Sequence, residues 1–193
     1  MLDRLLIGAV NGLLTQGGLA LGDKLKKVKL KSKVEQGVAT DDEIFKYNEL
    51  LGDSLEEYVK STQIMTDFLA KNPDHVFPNV TLGVNTIATI IHRKKQIAFQ
   101  DMKQLPEFAE VRKYIGRAHE LVSNQQDTWL KSGKISNDLF LLYVFKAAQA
   151  YYFQGFIEYL DGNIDKAKLL KSDGVKMDKR VLKILAYGKE KGI

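Results

Sequence analysis

The chain has 193 residues, 45% of them hydrophobic and 27% charged, with three prolines, no cysteine and a net charge of +5. Those proportions belong to a folded globular chain of one ordinary domain and exclude a disordered one. The lack of cysteine excludes disulfides, thiol catalysis and thiolate metal centres, while leaving the compartment open.

Charge is unevenly spread. Residues 1–39 carry seven Lys/Arg against three acids, whereas residues 40–72 carry three against eight. Met1 to Leu21 places Leu2, Leu6, Ala9 and Leu13 at helical spacing, with Leu5, Val10 and Leu14 widening the stripe. Asp3 and Asn11 interrupt it, so it reads neither as a secretory signal nor as a membrane span. Next come six lysines, Lys24, Lys26, Lys27, Lys29, Lys31 and Lys33. From Lys27 they alternate with Val28, Leu30, Ser32 and Val34, which suits an extended arm over 24–34 as well as a continued helix. The segment 1–36 therefore stands as an amphipathic, Lys-rich N-terminal part, followed by an all-α domain over 37–193.

Thr40-Asp41-Asp42-Glu43 is a capping box. Ile44, Tyr47, Leu51, Leu55, Tyr58, Thr62, Met65 and Leu69 then follow at steps of three and four. Gly52 divides this run, and Ser54 with Glu57 forms a second box. Asn72-Pro73 ends it, because a residue before proline avoids helical geometry. The acidic run reads most simply as a solvated face, with docking on the lysines of 24–33 as the other reading. Pro73 to Pro78 is expected as a loop, with a helix from Asn79 through Val80, Val84, Ile87, Ile91, Ile97, Ala98 and Met102. Pro106 suits the first turn of the next helix. Phe108, Val111, Ile115, Ala118, Val122 and Trp129 line that helix, and Gly133 stops it.

Ser136 to Asp138 caps the densest apolar segment, Leu139 to Leu160. Lys146, Gln149, Gln154 and Glu158 within it make it a buried core helix and not a bilayer span. A Gly162-Asn163 turn, a second helical run and, after Gly174, a last helix over Val175 to Tyr187 complete the chain. The expected fold is all-α: an irregular bundle or helical-hairpin array of six to seven helices.

Tyr151, Gly155, Tyr159, Gly162-Asn163 and Ala167 follow an aromatic, small, aromatic, turn, small order. Residues 147–175 thereby resemble a single tetratricopeptide-type repeat. Lys171 stands where such a repeat carries a large apolar residue, and no second copy follows at a 34-residue period. An unrelated helical hairpin with the same turn chemistry is the other reading. The resemblance implies a groove receiving a partner segment, with Tyr151, Tyr152, Gly155 and Tyr159 as candidate contacts.

Catalytic, cofactor-binding and metal-ligating constellations are missing from the sequence. None of His75, His92 and His119 has a Glu three residues before it, and no H-E-x-x-H occurs. Gly17 to Lys24 reads GGLALGDK, but Asp23 stands where a phosphate loop needs Lys, and its carboxylate would repel phosphate. Lys24–Lys33, His92–Lys95 and Lys176–Lys183 are basic, yet no reading motif accompanies them and the acidic run disfavours nucleic acid. The sequence thus points to a non-enzymatic interaction or scaffold protein of the cytoplasm, binding another protein or itself. A second reading is peripheral docking on anionic lipid through the six lysines and the stripe before them. A third is a small-ligand binder with a pocket of scattered residues.

Overall fold

A computed structural model describes residues 21–52, 54–95, 97–125 and 137–191 of the chain. Among them are eight helices and no strand: α1 (Leu21–Glu35), α2 (Asp41–Glu49), α3 (Leu55–Lys71), α4 (Val76–Lys94), α5 (Phe99–Met102), α6 (Phe108–Ser123), α7 (Asn137–Leu160) and α8 (Ile164–Lys191). The all-α class holds. The stripe Leu2–Leu14, together with Trp129, Gly133 and Ser136, lies outside the described residues.

Local chemistry explains most of the boundaries. The Thr40 hydroxyl accepts from the Glu43 N–H, and the Glu43 carboxylate accepts from the Thr40 N–H, so α2 opens on a complete capping box. Ser54 caps α3 through the Glu57 N–H, while α3 stops at Lys71, just before Asn72-Pro73. Pro78 does not close a loop. It sits in the first turn of α4, where its missing N–H would have had no intrahelical partner. The helix expected through Met102 breaks after Lys94, and α5 is a separate short turn. Pro106 precedes α6 by two residues.

Two further expectations change. Residues 24–34 are helical despite their alternation, so there is no extended arm. Lysine is a good helix former, and α1 is held from outside by acids of the next two helices. Lys33 pairs with Glu43, Lys27 with Glu57, and Lys60 with Glu35 at 3.2 Å. Nor does Gly174 begin a new helix: α8 runs through it, and a Cβ there would lie 2.7 Å from Tyr152 Cε1. That glycine is a packing position.

The core has two connected parts. In the first, Phe45 of α2 and Met65 and Phe68 of α3 meet Val76, Phe77 and Val80 of α4, Ala118 and Leu121 of α6, and Val144 and Ala147 of α7. In the second, Ile87 and Ile90 of α4 meet Phe108, Val111 and Ile115 of α6 and Phe153, Phe156 and Leu160 of α7. Reading the order of these residues, α6 runs antiparallel to α4 and α7, which are parallel to each other. Twelve of the 19 residues of α4 are buried, which is why α3, α6 and α7 can all pack on it. Gly83 lets α6 come close, since a Cβ there would stand 2.6 Å from Ile115 Cδ1.

Candidate functional site

A buried polar chain sets the register of α3 on α4. The Asn85 amide donates to Ser61 Oγ at 2.7 Å, and Ser61 donates to Asn48 Oδ1 at 2.6 Å. All three residues are buried, so this chain of satisfied bonds ties α2, α3 and α4 at one level. The buried line of α3 is therefore Tyr58, Ser61, Met65 and Phe68. It is rotated from the line read in the sequence, which included Thr62 and Leu69. That rotation moves Thr62 and Thr66 to the flank of α3 that looks toward α6.

Between the two flanking helices lies a cleft of about 420 Å³. Its floor is one face of α4, formed by Leu82, Thr86, Thr89, Ile90 and Arg93. One wall is Val59, Thr62, Gln63 and Thr66 of α3; the other is Glu107, Glu110 and Tyr114, at and beyond the start of α6. Both walls pack on α4, while α3 and α6 make little contact with each other. Four threonines stand where leucines would have closed the gap. Thr86 spends its hydroxyl on Leu82 O at 2.8 Å within its own helix, leaving its methyl for the cleft.

The rim carries both charge signs. Arg93 and Lys94 end α4, where cations complement the helix dipole, and Glu107 stands across from them. Arg93, Lys94 and Glu107 make no ion pair among the described residues, whereas Glu110 is held by Lys113 at 3.3 Å. Burial, followed by the Glu110 carboxylate, pushes the Tyr114 phenol upward, so this wall keeps a neutral hydroxyl. Val59 on the lip is 54% exposed.

The residues singled out by the repeat resemblance have other surroundings. Gly155 is buried beneath α8, its Cβ position 3.3 Å from Ala167 O and 3.4 Å from Leu170 Cβ. Tyr152 backs onto Gly174, and Tyr159 packs against the second core cluster. Tyr151 is half-buried, edge-on to the His119 ring at 5.1 Å. The Gly155 side of α7 is thus filled by the protein's own next helix. Beyond it the turn is clasped: Glu158 accepts from Lys166 and Asn163, both at 2.7 Å, and Arg112 grips Asp161 with two bonds of 2.6 and 2.7 Å. Arg112 holds the Asp161 carboxyl below its usual range. Gly162, at φ +85°, supplies the left-handed turn.

Of the six lysines, Lys27 and Lys33 face inward onto Glu57 and Glu43, and Lys31 lies 3.8 Å from Glu35. Lys26 and Lys29 are exposed, and the Lys24 side chain lies outside the described residues. Lys146, the charge inside the long apolar segment, is buried against Glu49 at 2.9 Å and lies over the Phe77 ring at 4.7 Å. It joins α7 to α2.

His75 is buried between Phe45 and Phe68, and burial lowers its pKa to about 3. His119 is also lowered, first by burial and then by Lys166. Among the described residues no group of three or more His, Asp or Glu is placed to hold a metal ion, and no helix is long and apolar enough to cross a membrane.

No family model, characterised protein or solved structure matches the chain.

Proposed function

We propose that the protein is a non-enzymatic helical binding protein, and that the α3–α4–α6 cleft receives apolar side chains from a segment of a partner polypeptide. The observation that carries this reading is an apolar, threonine-lined floor kept open beneath a rim on which Arg93, Lys94 and Glu107 make no ion pair among the described residues. Its volume suits two or three large side chains, within the roughly 300–1,000 Å³ of typical ligand pockets. Helices and extended segments dock in such grooves through a few apolar anchors, while rim charges of both signs set direction and partner.

The test is peptide selection from a random displayed library against the full-length protein. Selected peptides are expected to carry large apolar anchors, and to lose affinity by at least about tenfold on Thr86→Trp, which fills the floor. Equal affinity for parent and variant would overturn the proposal, as would loss of binding on Tyr151→Ala with Thr86→Trp neutral. Saturation of the cleft by a small amphiphile alone, with no peptide selected, would favour the small-ligand reading.

A further inference from the structure

α1 is attached to the bundle by one face. Leu30 is buried there, and Lys27 and Lys33 on the same side hold Glu57 and Glu43. This fixes what points outward. Leu25 and Val28, one turn apart, are 68% and 67% exposed. Lys29 flanks Leu25 on one side, exposed and outside any ion pair among the described residues, and the exposed Lys31, 3.8 Å from Glu35, flanks Val28 on the other. Of the nearby acids, Glu43 and Glu57 are taken up on the inner side, Glu35 is shared by Lys31 and Lys60, and Asp23 of α1 stands seven residues before the inward Leu30. The outer face is left apolar at its middle and positive at its edges.

We propose that this face docks the protein on an anionic phospholipid surface, with Leu25 and Val28 entering the headgroup boundary and Lys29 and Lys31 meeting lipid phosphates. An amphipathic helix lying in the interface needs this pairing of apolar ridge and flanking lysines. The sequence leading into α1 continues the pattern, with Leu2, Leu6, Ala9 and Leu13 at helical spacing. A second copy of the chain is a poorer occupant, because two such lysine-flanked faces repel each other. Nucleic acid fits less well still, since phosphates would meet leucine and valine at the centre. This inference is independent of the cleft.

Co-sedimentation of the full-length protein with vesicles tests it, comparing phosphatidylcholine alone with phosphatidylcholine mixed with phosphatidylglycerol. Binding is expected only to the mixed vesicles and should weaken with salt. A lysine near such a surface contributes a factor of about five, so Lys29→Gln with Lys31→Gln should lower partitioning by about 25-fold. Leu25→Ser with Val28→Ser should lower it by about tenfold or more. These four side chains are exposed, so melting temperatures should stay unchanged. Equal binding to both vesicle types, or to neither, overturns the inference. So does undiminished binding of both variants, which would place the contact in residues 1–20. A dimer that Leu25→Ser with Val28→Ser splits, without vesicle binding, overturns it in favour of self-association.

Discussion

Two pairs of antiparallel helices in this protein solve the same packing problem in opposite ways. In the α7–α8 hairpin, glycine and alanine at Gly155, Ala167 and Gly174 bring the helices together until aromatic and backbone atoms touch. The turn is then clasped by Arg112 on Asp161, by Lys166 and Asn163 on Glu158, and by Lys103 on Leu160 O at 2.7 Å. The α3–α4 pair is closed only along one line, by Phe68 at one end and the Asn48–Ser61–Asn85 chain in the middle. Its outer flank and α6 diverge over four threonines. A dense run of aromatic and small residues marks internal closure here, whereas the open surface is written in threonine.

The widest contrast should come from truncation. Leu170→Ala, at the α7–α8 seam, is expected to cost about 2–5 kcal/mol in urea unfolding, while Thr86→Ala at the cleft should stay within about 0.5 kcal/mol. Comparable losses at both would mean that the cleft is packed as tightly as the hairpin.

Next is acid sensitivity, concentrated where α3 turns into α4. His75 is buried neutral with a folded pKa of about 3, against 6.5 for the free side chain. Below 6.5 the unfolded chain takes up a proton that the folded one refuses. Stability from this residue is therefore present above 6.5 and is lost toward pH 3, at roughly 1.4 kcal/mol per pH unit. Between pH 6 and pH 4 the parent should lose about 2.5 kcal/mol more than His75→Leu. Parallel stability curves for the two proteins would contradict this assignment.

Much of the scaffold was legible in the residues, and the reasons are local. The Thr40–Glu43 box, the Asn72-Pro73 stop and the Gly162-Asn163 turn are short-range chemistry, and each is found where the spacing puts it. Two acids of the acidic run, Glu43 and Glu57, dock on the lysines, where the simpler reading of the charges is a solvated face. Tertiary choices were not legible. The period-two alternation from Lys27 to Val34 looked extended, but α1 is held by acids on α2 and α3 that no local window contains. Ser61 and Phe68 take the buried line and leave Thr62 and Leu69 half-buried, with Asn85, 24 residues from Ser61, bonding Ser61 at 2.7 Å and reaching Thr62 at 3.4 Å. The cleft itself carries no sequence signal: Thr62 and Thr66 on one helix and Thr86 and Thr89 on another look like neutral surface until the helices are brought together.

Smaller effects sharpen the contrast. Gly155→Val pushes a branched side chain against Ala167 and Leu170 and should cost about 1–3 kcal/mol of overpacking. Thr86→Leu should do the reverse, filling space and raising stability by about 0.5–2 kcal/mol. Stabilisation by a larger side chain is expected where an opening is retained for use, because filling it trades function for stability.

The most direct measurement is amide hydrogen exchange of the full-length protein with and without a peptide selected against it. Slowed exchange is predicted along α3 from Val59 to Thr66 and along α4 from Leu82 to Lys94, and should vanish in Thr86→Leu. Slowed exchange confined to Tyr151–Tyr159 and α8, unchanged by Thr86→Leu, would contradict the cleft as the binding site.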